Sequence, residues 1–293
     1  SEGRHVTPLE ALRAVAGMAF SMAFTSALWV VLGQYDKLVL SMVLPLSEFG
    51  FYSLAAMLAS GIHLISVPIG QAVLPRLTKF HAAGDRVSFL HLYRKASRLL
   101  SLTVGTAAVT MAIFSWPLLW MWTGDAEAAL KGTKILSVYA IGYGCFSLIM
   151  ITYFMQSALG DLRMQTVANL VMIATMMIGV TIVASRGDAL SVVCFWSGAM
   201  VLYSILFIPF VHRIFVDEIW KAWLLRDVCV ILAALVLPAV TLRFLVPDSE
   251  SRLAAAILIA ASATSGIGLA FFTTPEAWNV IEKFRGRLGW RGI

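Results

Sequence analysis

Long apolar stretches separated by short polar clusters run the length of the chain. Crossing about 30 Å of hydrocarbon as a helix takes roughly 20 such residues. Eight stretches reach that length, at residues 11–44, 50–75, 98–122, 132–158, 164–185, 189–212, 227–246 and 252–273. Few long polar segments intervene, which leaves no room for an extramembrane catalytic domain. The pattern predicts an all-α integral membrane protein of about eight transmembrane helices.

The basic residues orient it. On one side stand Arg4 and Arg13, then Arg76, Lys79, Arg86, Arg94, Lys95 and Arg98, then Arg163, then Arg213, Lys221 and Arg226, and last Lys283, Arg285, Arg287 and Arg291. The other side holds only Lys131, Lys134, Arg186, Arg243 and Arg252, and Lys37 lies within the first span. Excess Lys and Arg mark the cytoplasmic side of a membrane protein, so both termini are expected there. The sorting also supports an even number of spans.

Two connectors read as helices lying on the cytoplasmic face. In residues 86–100, His91, Arg94, Lys95 and Arg98 fall on one side, with Phe89, Leu92, Tyr93, Ala96, Leu99 and Leu100 covering the other. A basic amphipathic helix of this kind settles in the headgroup layer. The segment from Pro275 to Ile293, with Trp278, Phe284 and Trp290 among four basic residues, reads alike. Either these helices attract an anionic lipid or lipid pyrophosphate, or they are plain topological anchors.

Composition agrees. Of 293 residues, 60% are hydrophobic and 13% charged, and the mean hydropathy is +0.86, against roughly 25% charged in ordinary soluble domains. This excludes a disordered chain, a secreted disulfide scaffold and a free nucleic-acid binder, despite the net charge of +6. Cys145, Cys194 and Cys229 each sit in an apolar run without CxxC spacing, and are expected as packed, inert thiols rather than a disulfide or zinc site. The polar start Ser1-Glu2-Gly3-Arg4-His5 is unlike a signal peptide, and the chain reads as a piece of something longer.

Polar groups within spans are costly and mark candidate sites. Asp36 and Lys37 stand late in the first span. As neighbours they point about 100° apart on a helix and are not expected to pair. The first span is long enough to place Asp36 either inside the bilayer or at its outer edge. His63 lies near the middle of the second span, followed by Pro68 and Gly70, with Gln71 and Arg76 further along. His63 reads as a neutral imidazole bonded to a neighbouring helix, or as a proton-coupling or headgroup-contacting group; Pro68 should kink its helix. Gln156, Gln165 and Asn169 flank the turn Leu159-Gly160-Asp161-Leu162-Arg163 and fit interhelical hydrogen bonding. Tyr139, Tyr143 and Tyr153 fit either a sugar-stacking path or ordinary membrane aromatics. No phosphate-cradling glycine loop, HExxH or GxSxG is present, so neither an enzyme nor a cofactor is expected.

The stretch Gln34 to Lys79, QYDKLVLSMVLPLSEFGFYSLAAMLASGIHLISVPIGQAVLPRLTK, resembles the start of the second half of polysaccharide-lipid flippases of the Wzx type. That superfamily also holds MurJ and the MATE exporters. The matching features are Asp36 before an aliphatic run, Gly50-Phe51-Tyr52, and Leu74-Pro75-Arg76. Gln156 to Arg163 is similar to the family's Gln…Leu-Gly…Arg turn. The resemblance covers residues 10–185, and the last two spans match only in number and position.

The resemblance implies a second, MATE-like lobe plus two extra helices. Residues 1–10 would form a cytoplasmic linker, 11–212 the six-helix lobe, 213–226 an interfacial connector, 227–273 the extra helices, and 274–293 a basic tail. It implies translocation of an undecaprenyl-pyrophosphate-linked oligosaccharide across the bacterial inner membrane by alternating access. Lys37, His63 and Arg76 would supply positive charge, and Asp36 a counter-ion or coupling group, with Gln156 and Asn169 as further path candidates. The expected partners are the lipid-linked oligosaccharide, membrane lipids, and a first lobe or a second copy to close the cavity. Two alternatives stay open: an ion-coupled small-molecule exporter of the same superfamily, and a non-transporting scaffold or partner-dependent lobe.

Overall fold

The computed structural model describes residues 8–246 and 251–273. Within them the chain is helical throughout, without a strand. In order the helices are α1 (Pro8–Val43), α2 (Leu46–Ala82), α3 (Arg86–Ile113), α4 (Ser115–Thr123), α5 (Ala126–Leu159), α6 (Arg163–Ala184), α7 (Ala189–Phe215), α8 (Trp220–Leu245) and α9 (Arg252–Phe272). Seven of them, α2, α3 and α5 to α9, are long and apolar enough to cross a membrane. In α1, 36 residues long, no charged residue stands between Arg13 and Asp36. The protein is an all-α, multi-pass membrane protein.

Local chemistry sets where the helices begin and end. Asp85 Oδ1 accepts from Ser88 N at the start of α3, Asp125 caps α5 through Glu127 N and Ala128 N, and Asp188 caps α7 through Leu190 N and Ser191 N. Each carboxylate satisfies amides that have no partner within the helix. The hydrogen bond from the Ser191 hydroxyl holds the Asp188 carboxyl below its ordinary value. At the other ends Gly124 (φ +67°) and Gly160 (φ +75°) close α4 and α5 in the left-handed region, where a side chain is strained.

α5 is the hub and packs against α2, α3, α4 and α7. Its contact with α2 is close where Gly132 faces the fully buried Ala55. Without a hydrophobic drive between helices in lipid, small residues at such a contact let backbones approach. α8 and α9 pack on α3 and α4: Ile231, Leu235 and Ala270 meet Leu102 and Val109, and Ala239 and Leu258 meet Phe114. Residues Trp223–Cys229 of α8 are π-helical.

Several expectations change. Residues 86–100 are not a separate interfacial helix but the first half of α3, continuous with the span. Phe89, Tyr93, Ala96 and Leu100 are buried in the bundle instead of in lipid. α8 causes this: its Asp227 accepts from Arg94 Nε at 2.6 Å and from Arg98 Nη1 at 3.1 Å, drawing the basic side inward. The predicted third span, 98–122, breaks at Phe114 into α3 and α4. α2 runs through both Pro68 and Pro75. All three cysteines are free, but Cys194 and Cys229 are exposed on helix surfaces instead of packed. The basic tail from Pro275 and the Ser1–His5 start lie outside the described residues.

Candidate functional site

The side chains of Asp36 and Lys37 lie in the last third of α1, seven residues before its end at Val43. At 1.5 Å per residue that is about 10 Å inside the helix terminus. Tyr35 makes a 2.9 Å hydrogen bond with Thr181 near the end of α6, which fixes this level of α1 against α6. Asp36 is 1% exposed and lies inside the bundle.

Its carboxylate is met from three helices. The Tyr52 hydroxyl of α2 donates to Oδ2 at 2.6 Å. The Tyr139 hydroxyl of α5 donates to the same oxygen, and the two hydroxyls also touch each other at 2.5 Å. Lys37 Nζ lies 3.6 Å from Oδ1. This corrects the expectation that the neighbours would not pair. The Cα–Cβ vectors do diverge, but the four-carbon lysine arm folds back along the helix. Its Nζ donates to the Gly33 carbonyl at 2.6 Å and to the Tyr143 hydroxyl at 3.2 Å. A buried carboxylate thus has hydroxyl donors and a compensating cation, as a low-dielectric setting demands.

An aromatic wall extends the cluster. Trp196 of α7, 1% exposed, lies edge-on to Tyr139 (5.3 Å between centroids) and against Tyr143 (4.7 Å). Phe146 touches Tyr143 and Trp196, and His63 lies 4.7 Å from Phe146. His63 therefore joins the Asp36 cluster through one intervening ring, a contact with α5 made by ring packing. Lys37 is 21% exposed at its side chain and Gln34 is exposed, so the cluster opens to the surface of the bundle along α1.

Gln156 and Asn169 form a second centre with Gln165. All three are fully buried. Gln156 Nε2 donates to Gln165 Oε1 (3.3 Å), and Gln165 Nε2 donates to Asn169 Oδ1 (3.0 Å) and to the Tyr203 hydroxyl (3.1 Å). Tyr203 in turn donates to Asn169 Oδ1 at 2.9 Å. This network ties α5, α6 and α7 together, matching the interhelical bonding expected of these amides. Gln156 is 17 residues beyond Tyr139 on α5, about 26 Å along the helix, so the two centres are separate. Arg76 is separate again. It is exposed, 24 residues beyond Tyr52 on α2, or about 36 Å away along that helix. Tyr153 is buried against Phe154.

Sequence reasoning missed two buried polar groups. One is Asp227 with Arg94 and Arg98. The signal was an acid heading an apolar run in a chain with few acids. The other is His212, whose Nδ1 faces the Ile208 carbonyl at 2.8 Å and must carry the proton, leaving Nε2 to accept from Tyr93 at 2.9 Å. Among the described residues, no group of His, Cys, Asp or Glu is arranged to hold a metal ion. No protein-family model and no curated protein matches the chain.

Proposed function

We propose that this chain is a transporter lobe that moves a lipid-linked oligosaccharide between membrane leaflets, with Asp36 as its coupling group. The observation that carries the reading is a carboxylate buried among α1, α2 and α5, about 10 Å from the end of the 36-residue helix α1. Ionisable groups at such positions are expensive and are usually kept for ion pathways or switching. Ionised, Asp36 accepts from Tyr52 and Tyr139 and balances Lys37, pinning α1 to α2 and α5. Protonated, it becomes a donor on one oxygen and no longer balances Lys37. The helices it joins then have a reason to move.

The substrate class rests on the resemblance of Gln34–Lys79 and Gln156–Arg163 to polysaccharide-lipid flippases. Lys37 on the open side of the cluster is suited to a phosphate, and the aromatic wall to sugar rings. The lobe holds one side of a path, and a facing lobe or second copy completes it. The basic end of the bundle, with Arg76, Lys79, Arg163 and Lys221, would face the cytoplasm of a bacterial cell.

Deleting the gene tests this. Lipid-linked glycan should accumulate on the cytoplasmic leaflet and disappear from the outer one. Sensitivity to small cationic compounds without that accumulation would favour the exporter. Neither phenotype would leave the chain a scaffold.

A further inference from the structure

At the turn between α2 and α3 a groove of about 630 Å³ opens between the two helices. Four basic side chains line it: Arg76 and Lys79 from α2, His91 and Lys95 from α3. The positions are one turn apart on each helix, so both present their basic face to the same space. Ser88 adds a hydroxyl, and Phe80 forms part of an apolar wall.

The other cations of α3 behave differently. Arg86 is paired with Glu218, and Arg94 and Arg98 with Asp227. No carboxylate lines the groove, and the side chains of Arg76, Lys79, His91 and Lys95 form no ion pair or hydrogen bond among the described residues. The nearest acid in sequence, Asp85, is engaged with both the hydroxyl and the amide of Ser88. Positive charge is therefore gathered around a cavity and left uncompensated, whereas a few residues away the same helix neutralises it. Topological anchoring needs charge on this side of the membrane, but it needs neither a shared cavity nor selective pairing.

The groove's depth narrows the occupant. Arg76 is six residues from the end of α2 and Lys95 nine from the start of α3, about 9 and 14 Å along the helix axes. That range spans the headgroup layer at the end of a transmembrane bundle. We propose that this groove binds a phosphate group carried by an anionic lipid, with Arg76, Lys79 and Lys95 as the charged contacts. The apolar wall, with Phe80 and Leu92, takes the glycerol and upper acyl carbons. The site is about 36 Å along α2 from Tyr52, and the proposal stands without the transport reading.

The test is native mass spectrometry of the full chain in detergent, titrated with phosphatidylglycerol and separately with phosphatidylcholine. Wild type should retain phosphatidylglycerol preferentially. Arg76→Gln/Lys79→Gln/Lys95→Gln should lose about a hundredfold of that preference, about fivefold for each basic residue removed. Arg163→Gln/Lys221→Gln/Arg226→Gln, with the same charge change at the same end, should keep it. Displacement of the lipid by inorganic pyrophosphate at similar concentration would support the same site with a free phosphate as its source. Equal losses in both triple variants, no lipid preference in wild type, or capture of an acidic peptide in place of lipid would overturn the proposal. Should the triple variant fail to fold, Lys79→Glu, at an exposed position, gives the same reading.

Discussion

Tyr52 of α2 donates its phenolic hydrogen to Asp36 Oδ2 across the α1–α2 hairpin at 2.6 Å, with both side chains withdrawn from solvent. Hydrogen bonds to a charged acceptor are worth about 1.5–3 kcal/mol, and an acceptor left without its donor costs more than a pair replaced together. Tyr52→Phe should therefore destabilise the protein by about 1.5–3 kcal/mol. Combined with Asp36→Asn the losses should be clearly less than additive. Thermal unfolding of the two single variants and the double variant in detergent reads the coupling, and strict additivity would dissolve the contact.

Asp227 draws Arg94 and Arg98 into the bundle and fastens α8 to α3. Arg98 is 8% exposed and Asp227 1%, so removing the acid strands a buried guanidinium. Breaking a buried pair by deleting one member costs about 3–5 kcal/mol, and Asp227→Ala should approach that. Arg226→Ala, one residue earlier and exposed, should change little. Melting curves of the two variants that matched each other would contradict the assignment.

Gly142 brings α5 against α7 behind the aromatic wall. A methyl group there would lie 2.9 Å from the Ser197 backbone and 2.8 Å from the Trp196 ring, and backbone does not yield cheaply. Gly142→Ala should cost about 1–3 kcal/mol and disturb Trp196 fluorescence. Gly61→Ala and Gly198→Ala, with open space around the added carbon, should be neutral or slightly stabilising.

Much of this was legible in the sequence, and the exceptions share a cause. Gly160 marked its turn and the apolar runs announced the spans, because both signals are local. Asp36 stood out because any acid in an apolar run does. Its partners did not: Tyr52 and Tyr139 are 87 residues apart, and only the packing of α2 on α5 makes their hydroxyls meet. For the same reason residues 86–100 read as a membrane-surface helix. Their amphipathic pattern is real, but α8, more than 100 residues later, supplies the carboxylate that turns Arg94 and Arg98 inward. The amides at Gln156, Gln165 and Asn169 were read correctly as interhelical ties because buried amides in a membrane bundle have few other options.

Glu218 offers a pH test outside the spans. Its own backbone amide and Arg86, whose Nε donates to Oε1 at 2.8 Å, hold the carboxyl below its ordinary value. A lowered folded value means stability present above the ordinary carboxylate range and lost as pH falls through the lowered value. Because Glu218 is about half exposed, the amount is at most about 1 kcal/mol. The difference in melting temperature between wild type and Glu218→Gln should be small at pH 7 and vanish on acidification. A difference that grew with acid would reverse the sign and refute the pairing.

The most direct test of the central claim replaces Asp36 alone. In cells deleted for the gene, wild type or Asp36→Asn is expressed from a plasmid, and the lipid-linked glycan exposed on the outer leaflet is quantified. Asparagine keeps the shape and loses the charge that Tyr52, Tyr139 and Lys37 are arranged around. The variant should insert in the membrane at wild-type level yet restore less than about a tenth of the outer-leaflet glycan, the consequence of losing one charged hydrogen-bonding group at a switch. Full restoration by Asp36→Asn would mean that the carboxylate only holds helices together, and that coupling lies elsewhere.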